Sequence, residues 1–168
     1  MIHVCCLATV EEEAARLGPA HLISILDPDC HLETPDGVAA GQHHRFNFHD
    51  INDPLPGHTP PEEGDIVRLL AFGEAWDGKA VTLIHCHMGI SRSTAAAFIL
   101  MCQFNDGREG EASVALRRAG RHAWPNRRMV AFADGLLGRD GRMVEAIAAM
   151  PMADFSTEGE TISLAVWL

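Results

Sequence analysis

The order of apolar segments along the chain most limits its possible folds. Three runs, residues 2–8, 21–26 and 81–84, have the length of a β-strand, and two carry β-branched residues and end at polar or turn-forming positions. Between the first two, residues 10–17 predict a short helix that Gly18 and Pro19 end. We therefore predict buried parallel strands and the beginning of a β-α-β unit.

The remaining segments extend this pattern. Residues 45–49 alternate polar side chains with Phe46 and Phe48, which predicts a half-buried fourth strand. Helices are predicted over residues 62–76, 91–104, 110–121, 126–137 and 141–150. The order predicts an α/β fold: one domain over residues 1–168, with a central, mostly parallel sheet of about four strands, flanking helices and a helical C-terminal half. Ligands of such sheets bind beyond the carboxyl ends of the strands.

Charge and composition exclude several classes of function. With 13 basic and 23 acidic side chains, the formal net charge is -10, so we expect no nucleic acid partner and no membrane partner. The first ten residues lack a basic segment, and no apolar run approaches the length that spans a bilayer. The five cysteines have no paired spacing and are predicted to be reduced thiols. These features together predict a cytoplasmic protein.

The segment CHMGISRS joins the strand at residues 81–85 to a helix. In such a tight loop, successive backbone N–H groups point inward and the helix dipole adds positive potential, which is a phosphate-binding geometry. A Cys86 thiol beside these dipoles and a guanidinium is expected to ionise near neutral pH and act as a nucleophile. Arg92 offers a planar fork that matches two phosphoryl oxygens, and Gly89 allows the backbone to turn.

The spacing of Cys86 and Arg92 is specific only together with its neighbours. A cysteine followed six residues later by arginine is expected about 0.3 times by chance in this composition, and Cys102 with Arg108 satisfies it as well. Requiring the preceding His, the Gly three residues on and the following hydroxyl lowers the expectation to the order of 10⁻⁴. Only Cys86 meets all the conditions, and Cys102 is predicted to be a small buried residue of a helix.

The nine residues HCHMGISRS resemble the signature loop H-C-x-x-G-x-S-R-S of the cysteine-dependent protein tyrosine phosphatase superfamily. The ending G-x-S-R-S is closer to that of the dual-specificity phosphatases. The resemblance implies that Cys86 is the nucleophile, that Arg92 binds phosphate and the transition state, and that Ser93 stabilises the thiolate as a leaving group. It implies that His85 holds the loop and tunes Cys86. The implied phosphate loop consists of His87, Met88, Gly89, Ile90, Ser91 and Arg92.

The resemblance also implies a general acid, an aspartate on a mobile loop upstream of the nucleophile. Asp50 and Asp53 lie 36 and 33 residues before Cys86, in the Pro-rich segment DINDPLPGHTPP. We favour Asp50 because it follows directly on the predicted strand. Asp53 precedes Pro54 and is the alternative acid, or else a residue that initiates a turn. The chain has no W-P-D motif.

Two further groups of residues have alternative interpretations. Trp124, Pro125 and Asn126 resemble the segment that packs on the signature loop, where Asn126 orients the hydrolytic water; it is equally well placed to be a helix N-cap. Six histidines suggest a metal site, but they lack paired helical spacing, and the implied chemistry needs neither metal nor other cofactor. These histidines are His43, His44, His49, His58, His85 and His87.

The sequence therefore predicts a phosphomonoester hydrolase, a protein tyrosine or dual-specificity phosphatase that works through a cysteinyl-phosphate on a phosphorylated protein or peptide. One alternative is a catalytically silent module that binds phosphorylated ligands, although such modules typically lose the cysteine or the arginine. The other is a phosphatase of a phosphoinositide or an RNA 5′ phosphate. Extra basic residues in the loop would favour that alternative, whereas this chain has His87 and Met88 there.

Overall fold

A five-stranded sheet forms the centre of the computed structural model, which describes residues 1–157 and 159–168. The strands are β1 (Ile2–Cys6), β2 (His21–Leu26), β3 (His43–Asn47), β4 (Thr82–Cys86) and β5 (Ile162–Leu164). Their order is β3-β2-β4-β1-β5; the first four are parallel, and β5 runs antiparallel to β1. The predicted α/β class and mostly parallel sheet are confirmed.

Six α-helices accompany the sheet within the described residues. They are α1 (Val10–Leu17), α2 (Glu63–Ala75), α3 (Arg92–Phe104), α4 (Glu109–Ala119), α5 (Arg127–Leu136) and α6 (Arg142–Ala148). The predicted helical C-terminal half is confirmed, with ends displaced by one to two residues at most positions. None of the helices in the described ranges is long and apolar enough to cross a membrane.

The sheet separates two apolar clusters of unequal size. On one face, α1 covers a small cluster that includes Val10, Leu22 and Leu83. On the other face, the main core contains residues from α2 to α6, and α3 lies at its centre with every residue from 92 to 102 buried. The small side chains of the TAAA segment allow this close packing. The N-terminal end of α3, which follows the CHMGISRS loop, is therefore held by the main core.

Several strand ends differ from the prediction: β1 ends at Cys6, where a 3-10 turn over Leu7–Thr9 begins, and β4 runs from Thr82 to Cys86. The strand predicted at residues 45–49 begins earlier, because His43 and His44 pair with Leu22 and Ile23 of β2 despite their polarity. β5, which pairs over three residues with β1, was not predicted from the sequence. A three-residue edge strand is too short to show alternation, and only contact with β1 makes it a strand.

Candidate active site

The carboxyl ends of three parallel strands meet at one edge of the sheet. Asp27 follows β2, Phe48 and Asp50 follow β3, and Cys86 is the last residue of β4. The strand-end rule for α/β sheets predicts a ligand site at this edge. Groups that follow β2 and β3 meet around Arg92, and Cys86 at the end of β4 contacts Ser93, the next residue along the chain.

The loop after Cys86 turns its carbonyl groups outward. Three of these oxygens accept backbone hydrogen bonds from outside the loop: His87 from Leu7 at 3.0 Å, Ile90 from Trp124 at 2.9 Å and Ser91 from Asn126 at 3.3 Å. The backbone N–H groups of residues 88–91 donate to no backbone acceptor in the described part of the chain. Successive free N–H groups beside a helix N-terminus form a concave site for an anion such as phosphate.

Gly89 is required by two features of this loop. Its φ of +72° lies in the left-handed region that favours glycine. A Cβ atom at this position would lie 3.0 Å from both the carbonyl carbon and the oxygen of Cys5 in β1. The loop therefore lies directly against the β1 backbone, an approach that only glycine allows.

Cys86 lies at the base of the loop and is 2% exposed. Its Sγ atom is 3.1 Å from the Oγ atom of Ser93, a buried residue in the first turn of α3. A hydroxyl at this distance can donate a hydrogen bond to a thiolate. The structure thus brings together the residues that the resemblance implies as nucleophile and stabilising hydroxyl.

Arg92 is buried at the start of α3, with 3% of its surface exposed. Its Nη1 atom donates to Oδ1 of Asp27 and to the carbonyl oxygen of Phe48, both at 2.7 Å. These two bonds use both hydrogens of Nη1. Nε is buried without a hydrogen-bond partner among the described residues, and it lies 4.0 Å from Oδ2 of Asp50. Among the described residues, the edge formed by Nε and Nη2 makes no hydrogen bond, and its planar geometry matches two oxygens of an anion such as phosphate.

Asp27 was not among the site residues predicted from the sequence. Besides its ion pair with Arg92, its Oδ2 atom lies 3.4 Å from Nε2 of His87 in the loop. The segment DPDC after β2 is indistinguishable from an ordinary turn in the sequence. The one available signal was its place directly after a buried parallel strand, where ligand sites form.

Asp50 makes two hydrogen bonds across the edge of the site. Its Oδ1 atom accepts from Oγ of Ser91 at 2.7 Å and from Nδ2 of Asn126 at 2.8 Å. Oδ1 of Asn126 in turn accepts from the backbone N–H of Met129 at 3.1 Å and caps α5. The structure thus gives Asn126 both of its predicted surroundings, the helix N-terminus and the candidate site.

Asp53 lies elsewhere, exposed on the outer part of the same loop. A neighbouring residue that the sequence analysis did not select, Asn52, anchors this loop. Its Oδ1 atom accepts from the backbone N–H groups of Arg127 at 3.0 Å and Arg128 at 3.2 Å, at the start of α5. A side-chain cap supplied by another segment cannot be read from the local sequence.

His85 is fully buried beneath the loop, and its Nε2 atom lies 2.5 Å from Oγ of Ser24 in β2. Burial lowers the pKa of His85 to about 4, so its ring is neutral at pH 7. Among the other histidines, the rings of His49 and His58 pack edge to face with their centroids 4.9 Å apart, and His43 contacts Ser24. Within residues 1–157 and 159–168, no three His, Cys, Asp or Glu side chains are grouped as metal ligands.

No family model and no curated protein matches this sequence. Among solved structures, human DUSP28 is 18% identical with a TM-score of 0.61, over 82% of this chain and 94% of that one. DUSP15 is 14% identical with a TM-score of 0.62, over 89% and 92%. PTPMT1 in complex with PI(5)P is 12% identical with a TM-score of 0.59, over 85% and 90%. The chain has the fold of the dual-specificity phosphatases, as the signature-loop resemblance implied.

Proposed function

We propose that residues 1–168 form one phosphatase-like domain, a phosphomonoester hydrolase of the protein tyrosine phosphatase type. The observation that carries the proposal is the loop over Cys86. Free backbone N–H groups at residues 88–91 and the unpartnered Nε of Arg92 surround the end of β4. This arrangement suits a phosphoryl dianion above a thiolate.

In the first step, the Cys86 thiolate attacks phosphorus; the S–P bond forms while the bond from phosphorus to the leaving oxygen breaks. The loop N–H groups and the free edge of Arg92 stabilise the equatorial oxygens as charge moves onto them. Asp50 gives its proton to the leaving oxygen, because an alkoxide or phenoxide leaves poorly without one. The product alcohol departs and cysteinyl-phosphate remains.

In the second step, water attacks the phosphorus of the cysteinyl-phosphate. Asp50 takes a proton from that water, and Asn126, 2.8 Å from the carboxylate, orients it. The S–P bond breaks and inorganic phosphate forms. The Ser93 hydroxyl, 3.1 Å from Sγ, donates a hydrogen bond to the departing thiolate.

Three contacts support Asp50 over Asp53 as the general acid. Asp50 bonds to Ser91 of the loop and to Asn126, and it lies 4.0 Å from Nε of Arg92. Both carboxylates are exposed, but Asp53 makes no ion pair with any described residue. Asp50 also follows β3 closely, so the sheet holds its backbone near the site.

We propose a phosphorylated protein or peptide as substrate and the cytoplasm as location. The fold shared with DUSP28 and DUSP15 supports the protein substrate. A phosphoinositide is the second candidate, because PTPMT1, which shares the fold, is seen in complex with PI(5)P. His87 and Met88, rather than two basic residues, occupy the start of the loop and favour the first candidate. A silent binding module is disfavoured because the chain has both Cys86 and Arg92, and both lie at the candidate phosphate loop.

One assay tests these choices together. Phosphotyrosine and phosphoserine peptides, a phosphoinositide and a 5′-phosphorylated RNA are offered to the wild type, to Cys86→Ser and to Cys30→Ser as the matched control. We expect peptide hydrolysis by the wild type and the control, and none by Cys86→Ser, which should still bind vanadate through the N–H groups and Arg92. Turnover by Cys86→Ser contradicts the mechanism. Binding without turnover by the wild type identifies a silent module.

A further inference from the structure

A continuous chain of polar side chains leads from an exposed loop to His85. Arg45 Nη2 donates to Thr34 Oγ1 at 3.0 Å, and Thr34 Oγ1 lies 3.0 Å from Nδ1 of His43. Nε2 of His43 lies 2.6 Å from Oγ of Ser24, which lies 2.5 Å from Nε2 of His85. Every link is within hydrogen-bond distance, and the chain crosses β3, β2 and β4.

Both imidazoles in this chain are neutral, so each carries a single N–H proton. Burial and the neighbouring Arg45 lower the pKa of His43 to about 4, and burial does the same for His85. Ser24 is 3% exposed and has one hydroxyl proton for its two histidine partners. It can therefore donate to only one ring, and its proton and both rings are all paired only when it accepts from the other. With every link paired in this way, the hydrogen-bond chain has two possible directions.

The positive charge of Arg45 at the exposed end selects one direction. The Arg45 guanidinium can only donate, and it polarises the Thr34 hydroxyl to donate onward to Nδ1 of His43. His43 then carries its proton on Nε2 and donates to Ser24, which donates to Nε2 of His85. The proton of His85 is thereby left on Nδ1. That atom is buried without a side-chain partner, and the ring contacts the Cys86 backbone.

We propose that Arg45, Thr34, His43 and Ser24 are positioning residues that hold His85 in its Nδ1–H tautomer. This tautomer points the positive end of the His85 ring dipole toward Cys86 and favours the thiolate. The opposite direction would turn a nitrogen lone pair toward the anion. The inference rests on the proposed function, because these hydrogen bonds affect catalysis only if Cys86 reacts as a thiolate.

The tautomer itself can be observed by ¹⁵N NMR of histidine-labelled protein, with the His85 signals assigned from their loss in His85→Gln. We expect the wild type to show His85 protonated on Nδ1. Thr34→Val removes the hydroxyl at an exposed position and should produce a mixture of tautomers, whereas Thr34→Ser should restore the wild-type pattern. Ser24→Ala should produce the mixture as well. Thr161→Val makes the same change at a position far from these hydrogen bonds and is the matched control.

The effect on Cys86 is measured by the rate of iodoacetamide alkylation as a function of pH, in a Cys30→Ser background. Ser24→Ala should slow alkylation of Cys86 near neutral pH by about 3- to 10-fold through a smaller thiolate fraction. Thr34→Val should shift the rate in the same direction, and Thr34→Ser should leave it unchanged. Because Thr34 is exposed, its variants are expected to fold, so they test the proposal even if Ser24→Ala does not fold.

The outcomes separate this inference from the proposed function. An Nε2–H tautomer of His85 in the wild type, or a tautomer that Thr34→Val and Ser24→Ala leave unaltered, overturns the inference whatever the activity. A wild type that has the expected tautomer but hydrolyses no phosphomonoester overturns the proposed function and leaves the hydrogen-bond chain established.

Discussion

At the scale of single residues, Arg92 combines a structural and a proposed catalytic task. Its Nη1 atom is used by Asp27 and the Phe48 carbonyl, so the ends of β2 and β3 fix the orientation of the guanidinium. The opposite edge of the fork stays available for phosphate. A lysine ammonium has no planar fork and could not hold both positions at once.

Arg92→Lys is therefore expected to lower kcat/KM by roughly 10²- to 10³-fold, because bidentate stabilisation of the transition state is lost. Steady-state hydrolysis of a phosphotyrosine peptide measures it. Arg16→Lys, at an exposed position in α1, is the control and should behave as wild type. Near-full activity of Arg92→Lys would reduce Arg92 to a structural residue.

Asp50→Asn should lower turnover by roughly 10²- to 10⁴-fold for substrates with poor leaving groups and far less for an activated aryl phosphate. The reason is that only a poor leaving group needs the proton. Asp53→Asn, three residues further along the same loop, is the matched comparison. It should lower turnover only slightly, and by the same factor for good and poor leaving groups. If the leaving-group dependence follows Asp53, the proposed assignment of the acid is wrong.

Iodoacetate should label Cys86 first, and phosphate should protect it. Burial raises the pKa of Cys5 to about 12, and burial also raises that of Cys102, so these thiols stay protonated and slow. Cys30 is partly exposed and is expected to react next. Peptide mapping after a short exposure measures the order. Equal labelling of all five cysteines would contradict an activated thiol.

At the scale of elements, the helices differ in the charge of their first turns. Four carry acidic side chains there, as the helix dipole favours. The exceptions among the described α-helices are α3 and α5, which have none. The first turn of α3 follows the candidate phosphate loop, and Asn126 before α5 contacts Asp50. In a chain of net charge -10, the helix ends nearest the candidate site are thus left without carboxylates.

The strand–loop–helix element of β4 and α3 depends on Gly89. Gly89→Ala should cost about 1–2 kcal/mol from the left-handed conformation alone, and more because its Cβ would meet the Cys5 backbone at 3.0 Å. The displaced loop should also bind vanadate more weakly. Gly107 has a similar φ of +77°, but a Cβ there would have no atom within 4 Å. Gly107→Ala therefore measures the cost of the backbone conformation without the contact. Urea unfolding and vanadate titration measure both effects; equal behaviour of the two variants would contradict the tight loop packing.

At the scale of the whole molecule, buried histidines link stability to pH. The pKa values of four histidines are lowered, in each case mainly by burial: His3, His43, His44 and His85. The unfolded chain then binds more protons than the folded one below pH 6.5, so the folded state loses stability as the pH falls. The protein is expected to be stable near neutral pH and increasingly unstable in acid.

For His85, with a pKa of about 4, the loss runs from about pH 6.5 down to 4 and amounts to about 3 kcal/mol. That is a large part of the 5–15 kcal/mol typical of a folded domain. Urea unfolding across this range should show the decline, and His85→Gln should make it shallower, because His3, His43 and His44 still contribute. His31→Gln, at an exposed histidine, should not. A wild type whose stability does not change over this range would contradict the burial of His85.

Local pattern was sufficient to predict the fold class, the helices, four strands and the loop around Cys86, because hydrophobic period, glycines and a contiguous motif lie within single segments. Only the tertiary structure decided the β5 pairing, the Asp27–Arg92 contact, the Asn52 cap and the link from Ser24 to His85. Each of these joins segments far apart in sequence: Asp27 and Arg92 are separated by 65 positions. Their partners become neighbours only when the parallel strands align and bring their carboxyl ends to one edge, and no residue carries a local signal of that alignment.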